Sequence, residues 1–133
     1  MVVDDHGDML ASIASVLAHE GFRVVEAVAA GRDAVAGLKT HRPDFAGVDV
    51  RLGGITGSEV AREATRPGLD TASVILTGEA PPGLVQEALD SGAGVVVRKS
   101  VPPSSLLAAI ATAVHGGIYV DPAFPVPTVG KRG

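Results

Sequence analysis

Short apolar runs alternate along this chain with stretches whose apolar residues recur every three or four positions. The runs MVV (1–3), FRVVEAV (22–28), DFAGVDV (44–50), ASVILT (72–77) and GVVVRK (94–99) read as strands. ASVILT is continuously apolar, as expected of a strand buried on both faces. Between the runs lie helical patterns. In GDMLASIASVLAHEG (7–21), Met9, Leu10, Ile13, Val16 and Leu17 fall on one face, and Gly21 supplies a stop. GRDAVAGLKTH (31–41) carries Ala34, Val35 and Leu38 at helical spacing, with Pro43 just beyond its end. SEVAREAT (58–65) is a short helix with Ser58 as its expected N-cap. PPGLVQEALDSGA (81–93) places Leu84, Val85, Ala88 and Leu89 on one stripe. In PPSSLLAAIATAVHGG (102–117), Leu106, Leu107, Ile110, Ala113 and Val114 are expected to face inward.

Five strands alternating with five helices predict one α/β domain, a parallel sheet covered on both faces. The length of 133 residues suits a single domain. Its expected extent is 1–121, followed by a Pro- and Gly-rich tail over 122–133. In such sheets ligands gather at the carboxyl ends of the strands. Asp4 and Asp5 follow the first strand, Asp49 ends the third, Thr77 the fourth and Lys99 the fifth. The topology therefore collects three carboxylates, a hydroxyl and an ammonium along one edge.

Composition narrows what this edge is for. The net charge of -4 argues against a nucleic-acid-binding domain, which needs a basic face. Cysteine is absent, so neither disulfides nor thiol chemistry enter. No apolar run approaches the length of a membrane span, and no secretory pattern opens the chain, so the expected location is the cytoplasm. Clustered carboxylates call for a counter-charge. Oxygen-only ligands select a hard dication, and few protein ligands with room for water favour Mg²⁺. Such an ion also draws in phosphate, Lys99 and Thr77 offer it further contacts, and Asp49 becomes a nucleophile able to form an acyl phosphate. Alone, Thr77 is ordinary strand packing, Lys99 a solvated charge and Asp4–Asp5 a helix cap; their joint placement at strand ends sets them apart. RLGGITG (51–57) lacks the Lys-Ser/Thr ending of a phosphate-binding glycine loop. His6, His19, His41 and His115 show no metal-ligand spacing and are read as surface residues. Strand alternation turns Arg98 away from the face that Lys99 uses, toward a structural role or a partner surface.

The segments VVDDH, PDFAGVDVRLGGITG, VILTGEA, ALDSGAGVVVRKSVPP and LLAAIATAVHGGIYVDP occur in the order found in receiver domains of bacterial two-component response regulators. The chain resembles that family over roughly residues 1–122, and DDH with GGIYVDP is most similar to the NarL/FixJ-type receivers. The resemblance implies a CheY-like (βα)5 fold with strand order 2-1-3-4-5. It implies Asp49 as phosphoacceptor, and Asp4, Asp5, Asp49 and the Arg51 backbone carbonyl around Mg²⁺. Thr77 and Lys99 would then engage the phosphoryl group, and Gly57 would close the loop after the acceptor. It further implies a sensor histidine kinase as phosphodonor, a signalling role rather than catalysis on an external substrate, and tuning of phosphate lifetime by Arg51 and Glu79. Output is expected through the face of the fourth helix, fifth strand and fifth helix, toward an effector or a second copy, with no direct nucleic-acid or membrane binding by this chain. Two positions depart from the family pattern: Gly53 stands in place of a proline, and Val96 in place of an aromatic. They motivate an alternative, a receiver-like binding module independent of phosphorylation. The subfamily resemblance motivates another, the receiver half of a LuxR-type DNA-binding regulator. A haloacid-dehalogenase-type phosphatase is disfavoured, because Arg51 stands where that chemistry needs a second aspartate.

Overall fold

The computed structural model describes residues 1–50, 55–78 and 83–124. Arg51, Gly53, Glu79 and the tail from 125 on lie outside the described residues, so the expectations placed on them stand as sequence readings. The elements alternate as expected: β1 (Val2–Val3), α1 (Gly7–His19), β2 (Ala27–Val28), α2 (Gly31–His41), β3 (Phe45–Asp49), α3 (Gly57–Ala64), β4 (Ala72–Thr77), α4 (Leu84–Asp90), β5 (Val95–Arg98), α5 (Pro103–Val114) and β6 (Tyr119–Val120). The strands form one sheet in the order β2-β1-β3-β4-β5-β6, and every pairing is parallel.

Strand alternation divides the interior into two apolar layers. Val3, Ala46, Val48, Ile75 and Val96 point to one face and pack with Ala34 and Leu38 of α2, Val60, Ala61 and Ala64 of α3, and Val85 and Ala88 of α4. Val2, Phe45, Val74, Leu76, Val95 and Val97 point to the other and meet Ile13 and Leu17 of α1, and Leu106, Ala109, Ile110 and Ala113 of α5. Most of these side chains are almost completely buried, and each large aliphatic one contributes about 1.5–3 kcal/mol relative to exposure.

Four details differ from the sequence reading. The sheet has a sixth strand, so the expected five-stranded sheet 2-1-3-4-5 is extended: Tyr119 and Val120 pair with Val95 and Val96. Only Ala27 and Val28 of the expected second strand join the ladder, because β1, its neighbour in the sheet, offers only two residues for pairing. The N-cap of α3 is Thr56, not Ser58. Thr56 Oγ1 accepts from Glu59 N while Glu59 Oε1 accepts from Thr56 N, a reciprocal capping box, and Ser58 is buried in the first turn. Val114 is 48% exposed, since the inward stripe of α5 runs through Leu106, Ala109, Ile110 and Ala113 and leaves it one position off.

The residues after β6 are tied to the body. Phe124 joins the α2–α4 layer, and Asp121 is 2% exposed. The Asp121 carboxylate accepts from Arg98 N (3.1 Å), Arg98 Nε (2.8 Å) and Ala123 N (3.0 Å). Burial pushes its pKa up, but the hydrogen bonds from Ala123 and Arg98 outweigh this and leave it below the ordinary carboxylate value. A carboxylate with a lowered folded value stabilises fully above its unfolded pKa of about 4, and that contribution is lost as the pH falls. Wild type should therefore exceed Asp121→Asn in urea-unfolding stability at pH 6, with the gap shrinking below about pH 4. A gap that stays constant from pH 6 to pH 2.5 would contradict this linkage.

Candidate phosphoacceptor site

The parallel register brings the sequence-selected residues to one edge. Val3 pairs with Val48, Asp49 with Leu76, and Thr77 with Arg98, so Asp4, Asp49, Thr77 and Lys99 leave their strands at the same end. Lys99 N donates to Thr77 O at 3.0 Å and fixes the step between β4 and the residue after β5. An open cleft of about 670 Å³ lies over this edge, lined by His6, Asp8 and Met9 at the start of α1 and by Asp49, Thr77 and Lys99.

The charges are arranged unevenly. Asp4 is 1% exposed and Asp49 4%, while Asp5 reaches out toward solvent. Lys99 Nζ lies 2.7 Å from Asp4 Oδ2 and 3.3 Å from Asp49 Oδ2. Burial works against the ammonium, but the hydrogen bond to Asp4 and the charge of Asp49 outweigh it and hold its pKa above the ordinary lysine value. Lys99 is thus a permanent cation between two buried carboxylates.

His6 is the site residue that the sequence reading missed. It is surface-exposed, as expected, yet its Nδ1 lies 3.0 Å from Asp5 Oδ1 and 3.3 Å from Asp4 Oδ1. Its backbone N–H also donates to Asp4 Oδ1 at 2.9 Å. The signal was adjacency to the acidic pair, not a metal-ligand spacing. One donor atom from each of Asp4, Asp5, His6 and Asp49 lies within 4.8 Å of the others. Three of the four donors are carboxylate oxygens, a set that suits a hard dication such as Mg²⁺.

Gly57 lies directly behind Asp49. Its N–H donates to Val50 O at 3.1 Å, closing the loop after β3. A β-carbon there would sit 2.8 Å from Val50 Cα and still closer to the Asp49 carbonyl oxygen. Both obstacles are backbone, so only glycine fits without moving either the end of β3 or the start of α3.

Comparison with known proteins gives these residues a family. The response regulator receiver domain matches residues 1–111. The transcriptional regulatory protein UhpA of Salmonella typhimurium is 30% identical over 132 residues, covering 98% of this chain and 66% of UhpA. DesR of Bacillus subtilis, also a transcriptional regulatory protein, is 31% identical over 116 residues, covering 86% of this chain and 57% of DesR. The chain thus spans just under two thirds, or less, of the length of these relatives. Among solved structures, the signal receiver domain of NarL from Mycobacterium tuberculosis superposes with a TM-score of 0.81 at 28% identity, covering 86% of this chain and 94% of that one. A CheY-like receiver domain from Methanospirillum hungatei gives 0.78 at 26% identity over 86% and 91% of the two chains. The chain belongs to the response regulator receiver domain family, the signalling domains of two-component systems.

Proposed function

We propose that Asp49 accepts a phosphoryl group from a sensor histidine kinase and that the acyl phosphate switches a protein-interaction face. The observation that carries this reading is the partly buried ammonium of Lys99, in contact with both Asp4 and Asp49 at the mouth of the cleft. An Asp49 carboxylate oxygen attacks phosphorus in line with the leaving group. The P–N bond of the donor phosphohistidine breaks, its electron pair leaves with the imidazole, and the imidazole takes up a proton. The product is a mixed anhydride on Asp49.

Lys99 then pairs with the new phosphoryl oxygens, and the Thr77 hydroxyl donates to one of them. Asp5 and Asp49, supported by Asp4 and joined by the Arg51 carbonyl, would hold Mg²⁺, which when bound screens the repulsion between the acceptor carboxylate and the incoming phosphate. The face of α4, β5 and α5 is the output surface, toward an effector or a second copy. The encounter with the kinase takes place in the cytoplasm; among the described residues no helix is long and apolar enough to cross a membrane. In the whole protein the switch would govern a DNA-binding part, a second reading supported by the longer transcriptional regulators the chain matches.

The test is direct. Incubated with Mg²⁺ and a small phosphodonor such as acetyl phosphate, the intact protein should gain one phosphoryl group by mass and lose it again on treatment with hydroxylamine. A protein that stays unlabelled under these conditions signals without phosphorylation.

A further inference from the structure

Arg98 immediately precedes the lysine of the site, and its two hydrogen bonds to Asp121 are not used by the chemistry above. They add a side-chain link between the site and the residues that follow β6. On one side, Lys99 Nζ contacts Asp4 and Asp49, and Lys99 N is bound to Thr77 O. On the other, Asp121 is the first residue after the last strand. Its N–H donates to Val96 O at 2.8 Å, and its carboxylate caps Ala123 N at 3.0 Å. Its carbonyl accepts from Phe124 N at 3.0 Å, which folds the chain back so that Phe124 packs against the layer containing Val96. The segment Asp121–Phe124 is therefore held by the end of β5, one peptide unit away from Lys99.

We propose that this clasp is the route by which the acceptor site controls the segment Asp121–Phe124. The inference rests on Asp49 being the phosphoacceptor. A phosphoryl group on Asp49 moves the negative charge outward from the carboxylate, and the Lys99 ammonium follows it. The Arg98–Lys99 peptide moves with the lysine. The Arg98 N–H, in the preceding peptide unit, and the Arg98 guanidinium meet the same Asp121 oxygen from two directions, so a displacement that carries the Arg98 main chain along cannot keep both hydrogen bonds. A buried carboxylate that loses donors is costly, so it turns to solvent and takes Ala123 and Phe124 with it. The clasp thus has two arrangements, closed with free Asp49 and open with phosphorylated Asp49. By linkage, whatever opens the clasp must also favour the phosphorylated arrangement of the site.

Amide hydrogen exchange on the whole chain, with and without beryllium fluoride plus Mg²⁺ as the phosphoryl mimic, tests this. The mimic should speed exchange of the Ala123 and Phe124 amides by about tenfold and alter that of Lys99. In Asp121→Ala those two amides should already exchange fast, with no further change on loading. That variant should bind the mimic roughly fivefold more tightly. Arg98→Ala, at a half-exposed side chain, should give the same pattern in weaker form and guards against a misfolded Asp121 variant. If Lys99 responds while Ala123 and Phe124 keep their exchange rates or slow, the coupling is wrong and the phosphoacceptor reading survives. If neither end responds, the phosphoacceptor reading itself fails.

Discussion

Asp49→Asn should lose all phosphoryl uptake from a small phosphodonor and, at the same time, unfold at a higher temperature than wild type. The loss follows from chemistry: an amide oxygen is not a competent nucleophile toward phosphorus, and the other carboxylates of the cluster sit elsewhere. Asp4 is 1% exposed and engaged by Lys99 at 2.7 Å, and Asp5 lies next to His6 at the rim. The gain follows from electrostatics. Donor atoms of three carboxylates lie within 4.8 Å of one another, and Lys99 is the ammonium that reaches two of them. Without a bound dication their mutual repulsion opposes folding. Replacing one carboxylate by an isosteric amide removes part of that repulsion, and the new NH₂ can donate to its neighbours. An increase of about 1 kcal/mol is expected in metal-free buffer, typical of sites where stability is given up for function. Added Mg²⁺ should then stabilise wild type far more than the variant. Intact mass and thermal melts with and without Mg²⁺ read both effects; an Asn variant that is labelled like wild type places the nucleophile elsewhere.

Gly57→Ala should destabilise the domain by about 3 kcal/mol and impair phosphorylation more than a surface change of equal stability cost. The new methyl meets the backbone of Asp49 and Val50, not the end of a flexible side chain. Relief requires moving either the start of α3 or the end of β3. The first breaks the Gly57 N–H to Val50 O hydrogen bond and strains the Thr56–Glu59 capping box. The second shifts Asp49 relative to Lys99, whose 3.3 Å contact has little slack. Urea melts give the first number and the phosphorylation rate at saturating phosphodonor gives the second. A normal rate in a destabilised Gly57→Ala protein would mean that α3, not Asp49, yields.

The site was legible from sequence because a parallel sheet turns strand order into geometry. Once each apolar run is assigned a direction, Asp4, Asp49, Thr77 and Lys99 must emerge on one edge. The two-layer core was legible for the same reason, since the alternation in VILT and VVVR assigns each side chain to a face. What escaped detection depends on contacts remote in sequence or on the choice between adjacent candidates. His6 looks like any solvated histidine until the turn after β1 folds it back over its two predecessors. Asp121 sits in a Pro-rich stretch whose composition says loop; Arg98, 23 residues earlier, joins Ala123 in satisfying its carboxylate, and that remote partner is invisible in the local sequence. Thr56 and Ser58 are equally good caps by type, and the presence of Glu59 three residues after Thr56 decides between them. The second strand was overextended because local apolar content says nothing about how many partners the neighbouring strand offers.

The two rims of the sheet carry a last consequence. Both are strands of two residues, Ala27–Val28 at one side and Tyr119–Val120 at the other. The longer strands β3, β4 and β5 are all enclosed between neighbours. So brief a border presents too few unsatisfied amides and carbonyls to template another chain, which protects against fibrillar stacking and strand exchange. Any companion of this domain must therefore recognise it by side chains, on the face of α4, β5 and α5 as elsewhere, rather than by adding a strand to the sheet.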